Sequence, residues 1–269
     1  MEKFKINLLI IGKNSLLSKL FLKNTRIKNY TIKSRSEIND VQFKNYTHIL
    51  NFSFNPKLKI NKYNKLLDLD YKLANKIKEY STIYICISSR LVYSNIHKKF
   101  HEKMKRLRPV SQYGKNKLII ENKIKKIIPV RHLILRLSTL LYCNTIYKKD
   151  LFSYQMLSKL KKTNKIYFDF NGNTYKDFIT PEYFVRCLDK LIINNVCGTY
   201  NICSGVKIYV KDVAKKVIYG FKNGKMFFEN IKKNQSFYMS NSKILYKTRE
   251  LLSKKDIYKY SIFMGKSIL

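Results

Sequence analysis

The 269-residue chain contains no tryptophan, four prolines and eight glycines. So little Gly and Pro excludes collagen-like, Gly/Ser-linker and proline-rich architectures. Its five cysteines, Cys86, Cys143, Cys187, Cys197 and Cys203, include no C-x-x-C pair and no histidine at zinc-ligand spacing. A disulfide framework and a structural zinc site are therefore not expected, and reduced thiols are. No apolar run approaches the ~18 residues that a membrane span needs. The N-terminal run Ile6 to Ile11 is also shorter than the apolar core of a signal peptide, so the expectation is a soluble, cytoplasmic protein. Carboxylates are scarce: 17 Asp and Glu face 55 Lys and Arg, a formal charge of +38.

A charge of that size first points to nucleic acid. However, 46 of the basic residues are Lys and 9 are Arg, whereas bidentate phosphate and base recognition favours the planar guanidinium. The lysines are spread along the whole chain beside abundant Asn, Ile and Tyr, a skew that an AT-rich coding sequence produces. At 45% hydrophobic and 14% aromatic content, the chain has enough apolar material for one large domain or two small ones.

Ile6 to Ile11, closed by Gly12 and followed by a helix-like Ser15 to Leu22, reads as strand, turn and helix. Tyr30 to Lys33, Thr47 to Phe52, Ile83 to Ile87 and His132 to Leu137 read as further strands. Helical spacing runs through Leu66 to Tyr80 and Tyr113 to Ile128. This alternation predicts an α/β fold, a Rossmann-like doubly wound parallel sheet with helices on both faces. Ligands in such sheets bind beyond the carboxyl ends of the strands. Those ends are Gly12 to Ser15, Ser34 to Ser36, Phe52 to Phe54 and Ser88 to Arg90. From about residue 145 the pattern is less regular: a helix near Phe152 to Leu160, a strand at Ile166 to Phe170, a helix over Pro181 to Ile193 and a strand at Thr199 to Cys203. These predict a smaller, partly interleaved C-terminal lobe.

Two local patterns carry chemistry. GKNSLLS, Gly12 to Ser18, stands where a dinucleotide fold places three glycines, but keeps only the first. Tyr113 and Lys117 are four residues apart and share a helical face, where an ammonium favours the phenolate form of a neighbouring phenol. His48, His97, His101 and His132 form no dyad or metal set, and no metal is expected.

YICISSRLVYS, HEKMKRLRPVSQYGKNKLIIE and LILRLSTLLY, in that order and spacing, resemble the extended short-chain dehydrogenase/reductase family of nucleotide-sugar epimerases, dehydratases and reductases. YKDFITPEYFVRCLD and GTYNICSG resemble that family's later segments, and GKNSLLS is most similar to the turn of its dTDP-4-dehydrorhamnose reductases. The resemblance covers about residues 6 to 205. It implies a dinucleotide-binding domain over 1–145 with return segments about 176–204, and a mainly substrate-binding lobe over 146–269.

It further implies a catalytic group of Ser89, Tyr113 and Lys117. Ser89 would hydrogen-bond the sugar carbonyl, Tyr113 would act as acid or base, and Lys117 would lower the Tyr pKa and hold the nicotinamide ribose. NADP or NAD would bind at Gly12, Asn14, Ser15, Leu16, Phe52, Ser53 and Lys117. Arg35, after the second strand, suits a 2′-phosphate and favours NADP. Phe54 follows Phe52 and Ser53 where the family has small residues. A nucleotide-sugar would be bound by Ser89, Arg90 and Lys176, the last at the place of an arginine that reaches the diphosphate. Arg90 and Leu91 replace the acidic pair of dehydratases, leaving 4-keto reduction or epimerisation. The basic stretch Lys98 to Arg108 reads as a solvated loop. The family's homodimer would bring together helices that here carry Lys115, Lys123, Lys125 and Lys126. The rival expectation is a non-catalytic relative that binds polyanion such as RNA, supported by the two missing glycines.

Overall fold

The computed structural model describes residues 5–93, 99–143 and 152–269; His97, and Lys98 of the basic stretch, lie outside the described residues. In chain order the elements are β1 (Leu8–Ile11), α1 (Leu16–Asn24), β2 (Tyr30–Lys33), β3 (His48–Asn51), α2 (Leu69–Lys76), β4 (Ile83–Ser89), β5 (Lys99–Phe100) and α3 (Gln112–Ile127). There follow β6 (His132–Leu137), β7 (Thr139–Leu140), α4 (Phe152–Thr163), β8 (Lys165–Phe168), β9 (Tyr175–Lys176), β10 (Phe178–Ile179), α5 (Pro181–Ile193) and β11 (Gly198–Ile202). The chain ends with β12 (Ile208–Tyr209), α6 (Val210–Phe221), β13 (Lys225–Phe228), β14 (Tyr238–Met239), α7 (Ser242–Thr248) and α8 (Lys254–Lys266).

The chain divides into two units. The first holds the described residues up to Tyr93, then Glu102–Leu137 and Val185–Asn201; the second holds Lys99–His101, Ser138–Phe184 and Ile202–Leu269. The first is built on a six-stranded sheet in the order β11-β6-β4-β3-β1-β2. The pairings β2 with β1, β1 with β3, β3 with β4 and β4 with β6 are parallel. The order reverses direction at β1, between β2 and β3, which is where an open α/β sheet leaves a crevice beyond its strand ends.

Every residue of LLII in β1 is buried, as a strand covered on both faces requires. Leu9 and Ile11 join Ile49, Leu73, Ile77, Tyr84, Cys86, Ile120, Ile124 and Ile134 in one core cluster, so α2 and α3 pack on one face of the sheet. Helix starts follow local chemistry. Ser15, Asp68 and Ser111 cap α1, α2 and α3, accepting backbone N–H bonds from Ser18, Tyr71 and Gly114. In α3 Lys125 and Lys126 occupy the last turn, where the helix dipole favours cations.

The second unit is assembled from two-stranded pieces: β7 with β10, β8 with β13 and β5 with β14 run parallel, and β9 with β12 antiparallel. Phe168 stacks on Phe152 and Phe228 at 6.1 and 5.2 Å between centroids. Among the described residues no helix is long and apolar enough to cross a membrane.

The strands agree with the apolar runs, with one consequential difference. Strand β4 continues past Ile87 through Ser88 and Ser89, paired to Arg136 and Leu137 of β6, so the serine pair belongs to the strand rather than to a turn. Helix α2 is shorter than the Leu66 to Tyr80 pattern, because Asp68 caps it and a 3-10 turn over Lys65–Leu67 takes up the first residues.

His48, in the middle of the sheet, is 1% exposed, and burial pushes its imidazole down to about 4. The neutral form is favoured by the fold. Its contribution to stability is therefore complete above the ordinary value of 6.5, and is lost as pH falls toward 4, about 3 kcal/mol in all. A proton NMR titration is expected to show the His48 imidazole unmoved between pH 8 and 5; a His48 resonance titrating near 6.5 would contradict it.

Candidate functional site

At the exit of β1, Gly12 has φ +108°, and a Cβ there would lie 2.9 Å from Ser53 N and 3.0 Å from Phe52 C. Only glycine lets the β1 turn lie directly against the backbone that leaves β3. Ser15 N donates to Gly12 O at 2.8 Å. The Ser15 hydroxyl accepts from Ser18 N at 3.0 Å from an extended backbone, φ −75°. Ser15, at the place of the second of the three glycines, therefore carries no strain, because its place needs a helix cap rather than a positive φ. Ser18 is fully buried in α1, Leu16 is buried, and Asn14 is exposed. No acidic residue stands in the first turn of α1.

At the exit of β3 the side chains divide. Phe52 turns into the core against Phe21, 5.9 Å between centroids. Ser53 N donates to Asn51 Oδ1 at 2.9 Å, and Asn51 Nδ2 donates to Asp70 at 2.8 Å. Tyr84 donates to the same Asp70 oxygen at 2.7 Å. Phe54 faces the opposite way: its ring meets Tyr113 edge-on, 5.4 Å and 89°, and lies 4.2 Å from Lys117 Nζ.

Three contacts seat α3 on the end of β4. Lys117 Nζ donates to Ile87 O at 2.7 Å, the Ser88 hydroxyl donates to Glu121, and Gly114 lies against Leu91. A Cβ at Gly114 would stand 2.1 Å from Leu91 O and 3.0 Å from Pro109 Cβ. Ser89 sits between these anchors, half-buried, capping the 3-10 turn Arg90–Val92 by accepting from Leu91 N at 3.2 Å. Tyr113 is half-buried with Lys117 Nζ 6.0 Å from its ring centre. Burial works against the Lys117 ammonium, but the charges of Tyr113 and Asp70, then Cys86 and Asp68, outweigh it and hold the pKa above the ordinary lysine value. Burial draws the Arg90 guanidinium down to about 10, still a cation at neutral pH.

Deeper, Arg136 binds the Glu121 carboxylate with Nε at 3.0 Å and Nη2 at 2.6 Å, and donates from Nη1 to the Tyr93 hydroxyl at 3.0 Å. Tyr93 donates to Asn201 at 2.7 Å, and Asn201 N donates to Glu102 at 2.9 Å. Glu102 thus serves the interior of this unit.

At the exit of β2, Arg35 is exposed. Glu37, two residues on, accepts from Ser34 N at 2.7 Å, and the Ser34 hydrogen bonds hold its carboxyl below the usual range. Strand β2 therefore ends beside an acid as well as the expected cation.

In the second unit Lys176 is buried with Nζ 5.2 Å from the Phe152 ring and 5.0 Å from that of Phe170. It lines a cavity of about 290 Å3 with Tyr167, Asp169 and Lys233. Asp177 next to it accepts from Ser204 N and Gly205 N, each at 2.9 Å, and burial pushes its carboxyl up to about 6 against those bonds. Asp177 carried no assignment from the pattern, although it ties YKDF to GTYNICSG. Among the described residues no cluster of His, Cys, Asp and Glu could hold a metal.

The structure thus brings Gly12, Ser15 and Ser53 to one turn, and Ser89, Tyr113 and Lys117 to one strand-helix junction. It places Phe52 and Leu16 in packing, and Arg35 at the surface.

No family model and no curated protein sequence matches the chain. Solved structures do match it. It aligns with dTDP-4-dehydrorhamnose reductase from Yersinia enterocolitica at 16% identity and TM-score 0.76, over 97% of this chain and 100% of that one. UDP-glucuronic acid 4-epimerase from Bacillus cereus, in complex with UDP-glucuronic acid and NAD, aligns at 14% identity and TM-score 0.78, over 98% and 100%. RMD from Pseudomonas aeruginosa complexed with NADPH gives 15% and 0.78 over 98% and 97%. At these identities the likeness establishes the fold, a Rossmann-like α/β architecture shared with nucleotide-sugar enzymes.

The fit of Gly114 predicts that Gly114→Ala destabilises the chain by about 1–3 kcal/mol, since the contact is with backbone that cannot step aside. Gly172, where a Cβ would meet only the Phe228 ring at 3.4 Å, is the control: Gly172→Ala is expected to leave the urea midpoint near that of the parent. Equal midpoints for the two variants would refute the close seating of α3.

Proposed function

We propose that the chain is an NAD(P)-dependent oxidoreductase that reduces a keto group, at C4, of a nucleotide-activated sugar. The observation that carries this reading is the junction at the end of β4, where α3 is fixed on both sides of Ser89 and presents Tyr113 and Lys117 on one face. That is a hydroxyl, a phenol and a buried ammonium held on rigid elements at a strand end, the constellation that proton transfer to a carbonyl oxygen needs.

The residues around β1 fit a dinucleotide. Gly12 lets the β1 turn lie tight against the β3 exit, where any Cβ would meet Ser53 and Phe52 backbone. The start of α1 offers N–H groups without a competing carboxylate, as a pyrophosphate requires. Gly12, Ser15 and Ser53 would hold it there, and a bound NAD(P)H supplies the hydride. Arg35 is assigned to a 2′-phosphate, which makes NADPH the expected donor, with Glu37 the counterweight that a comparison of NADPH with NADH would measure.

In the reaction Ser89 donates a hydrogen bond to the carbonyl oxygen. Tyr113 delivers its phenolic proton to that oxygen as hydride reaches carbon, so the product is a secondary alcohol and the phenol is left as its anion. Lys117 sets a positive charge beside that anion and is the residue that would hold the nicotinamide ribose of a bound cofactor. Within the second unit, Lys176 is assigned to the substrate diphosphate. Its ammonium acts there as a point charge rather than a bidentate fork.

The test is oxidation of NADPH in the presence of a dTDP-linked 4-keto-6-deoxy sugar. Tyr113→Phe is expected to lower kcat by about 10²–10⁴-fold while leaving NADPH binding intact, and Lys117→Met to weaken both. Parent protein that neither binds NADPH nor consumes it, or a Tyr113→Phe variant at full activity, would remove this assignment.

A further inference from the structure

Lys117 is 4% exposed, with Nζ hydrogen-bonded to Ile87 O at 2.7 Å and covered by the Phe54 ring at 4.2 Å. A hydroxyl bonded to that ammonium needs its oxygen about 2.8 Å from Nζ. With the ring centre at 4.2 Å there is no room for an oxygen between the two. The groups around Nζ differ in their freedom to give way. Ile87 O is strand backbone, and Tyr113 lies on the same helix as Lys117 and is held by the same seating. Phe54 hangs from the loop after β3, whose backbone is pinned one residue earlier by the Ser53 N to Asn51 bond, and its half-buried ring also packs on the core cluster of the sheet with α2 and α3, so clearing Nζ takes a turn of its two side-chain torsions out of that packing while the loop backbone stays in place. The ring face is also the part of an aromatic that attracts a cation, and its edge contact with Tyr113 closes the trio.

We propose that Phe54 is a positioning residue for Lys117: its ring holds the ammonium under Tyr113 in the resting protein, and is displaced when a dinucleotide ribose takes its place. The inference rests on the dinucleotide reading above. Every binding event then includes the loss of one cation–π contact, so Phe54 weakens cofactor affinity while keeping a buried cation partnered when no cofactor is present.

The experiment is titration of NADPH and NADH by reduced-nicotinamide fluorescence and calorimetry, which needs no turnover. Phe54→Ala is expected to tighten binding about three- to tenfold, Phe54→Tyr to leave it within twofold, and Phe54→Ala in a Lys117→Met background to change nothing. Binding that is unchanged or weaker in Phe54→Ala overturns the proposal. So does an equal gain in the Lys117→Met background, which would make Phe54 a matter of bulk alone. Should Phe54→Ala melt early, Phe54→Leu, which keeps apolar volume and loses the ring face, is read for the same direction. Parent protein that binds neither nucleotide sinks the dinucleotide reading and this proposal together, whereas parent binding equal to that of the variant sinks only the role of Phe54.

Discussion

Glu121 is fully buried in α3 with both carboxylate oxygens on the Arg136 guanidinium of β6, and the Ser88 hydroxyl adds a further hydrogen bond from β4. Such a pair adds little net stability over apolar side chains of the same volume, because both charges have left water. Stranding one of them is different, at about 3–5 kcal/mol. Its effect is therefore on register: α3 cannot slide or roll on the sheet without leaving an unpaired charge inside. At the other end of the helix, Gly114 against Leu91 O sets how closely α3 approaches. Lys117 lies between these fixed points, one turn before Glu121, Tyr113 stands two turns before Glu121 and next to Gly114, and Ser89 follows Ser88 at the end of β4. The geometry of the junction thus descends from an ion pair that touches none of the proposed reactants.

Much of this was legible in the chain. Continuous apolar runs bounded by Gly12 and by Pro129 marked the buried strands, and the i, i+4 spacing of Tyr113 and Lys117 marked one helical face. The seating of α3 was not legible, because it depends on Arg136, one of nine arginines, meeting Glu121 across an intervening helix end and strand start. The exit of β3 was half legible. Phe52, Ser53 and Phe54 were expected near a cofactor, and a continued strand would put both aromatics on one face, but the chain leaves β3 after Asn51, so Phe52 meets Phe21 and Phe54 meets Lys117. Ser15 shows the converse. Counting glycines made it a defect, while its backbone needs only an extended residue with a hydroxyl to cap α1. The second unit was hardest, since its strands are two to four residues long and carry too few positions to show a period.

A shared fold at 12–18% identity, with no family model and no curated sequence matching, is what a fold tolerates when most positions have several physical solutions. A bias toward Lys, Asn, Ile and Tyr rewrites exposed positions at little cost. The core needs only apolar residues of roughly suitable volume, so Ile serves where other aliphatics would. Positions with a single physical solution leave no such freedom: Gly12 against the β3 exit, Gly114 against Leu91, the Glu121 and Arg136 pair, and Asp177 bonded to Ser204 and Gly205.

The same reasoning locates the charge. Among the described residues, at least five of the 17 carboxylates are buried, Asp68, Asp70, Glu121, Asp177 and Asp189, whereas the buried cations include only Lys117, Lys176 and Arg136 of 55. The interior is therefore not basic; the excess of +38 is carried outside. A buried carboxylate is tolerated only with donors in place, and each of these has them: Tyr63 and Tyr71 N for Asp68, Tyr84 and Asn51 for Asp70, Thr25 and Arg26 N for Asp189. Such constraints keep acids where the fold needs them while the surface drifts toward lysine. Asp68 and Asp70 are among the groups whose charge keeps Lys117 charged within the protein, so a chain short of acids retains two that act on the one cation on which the proposed chemistry turns.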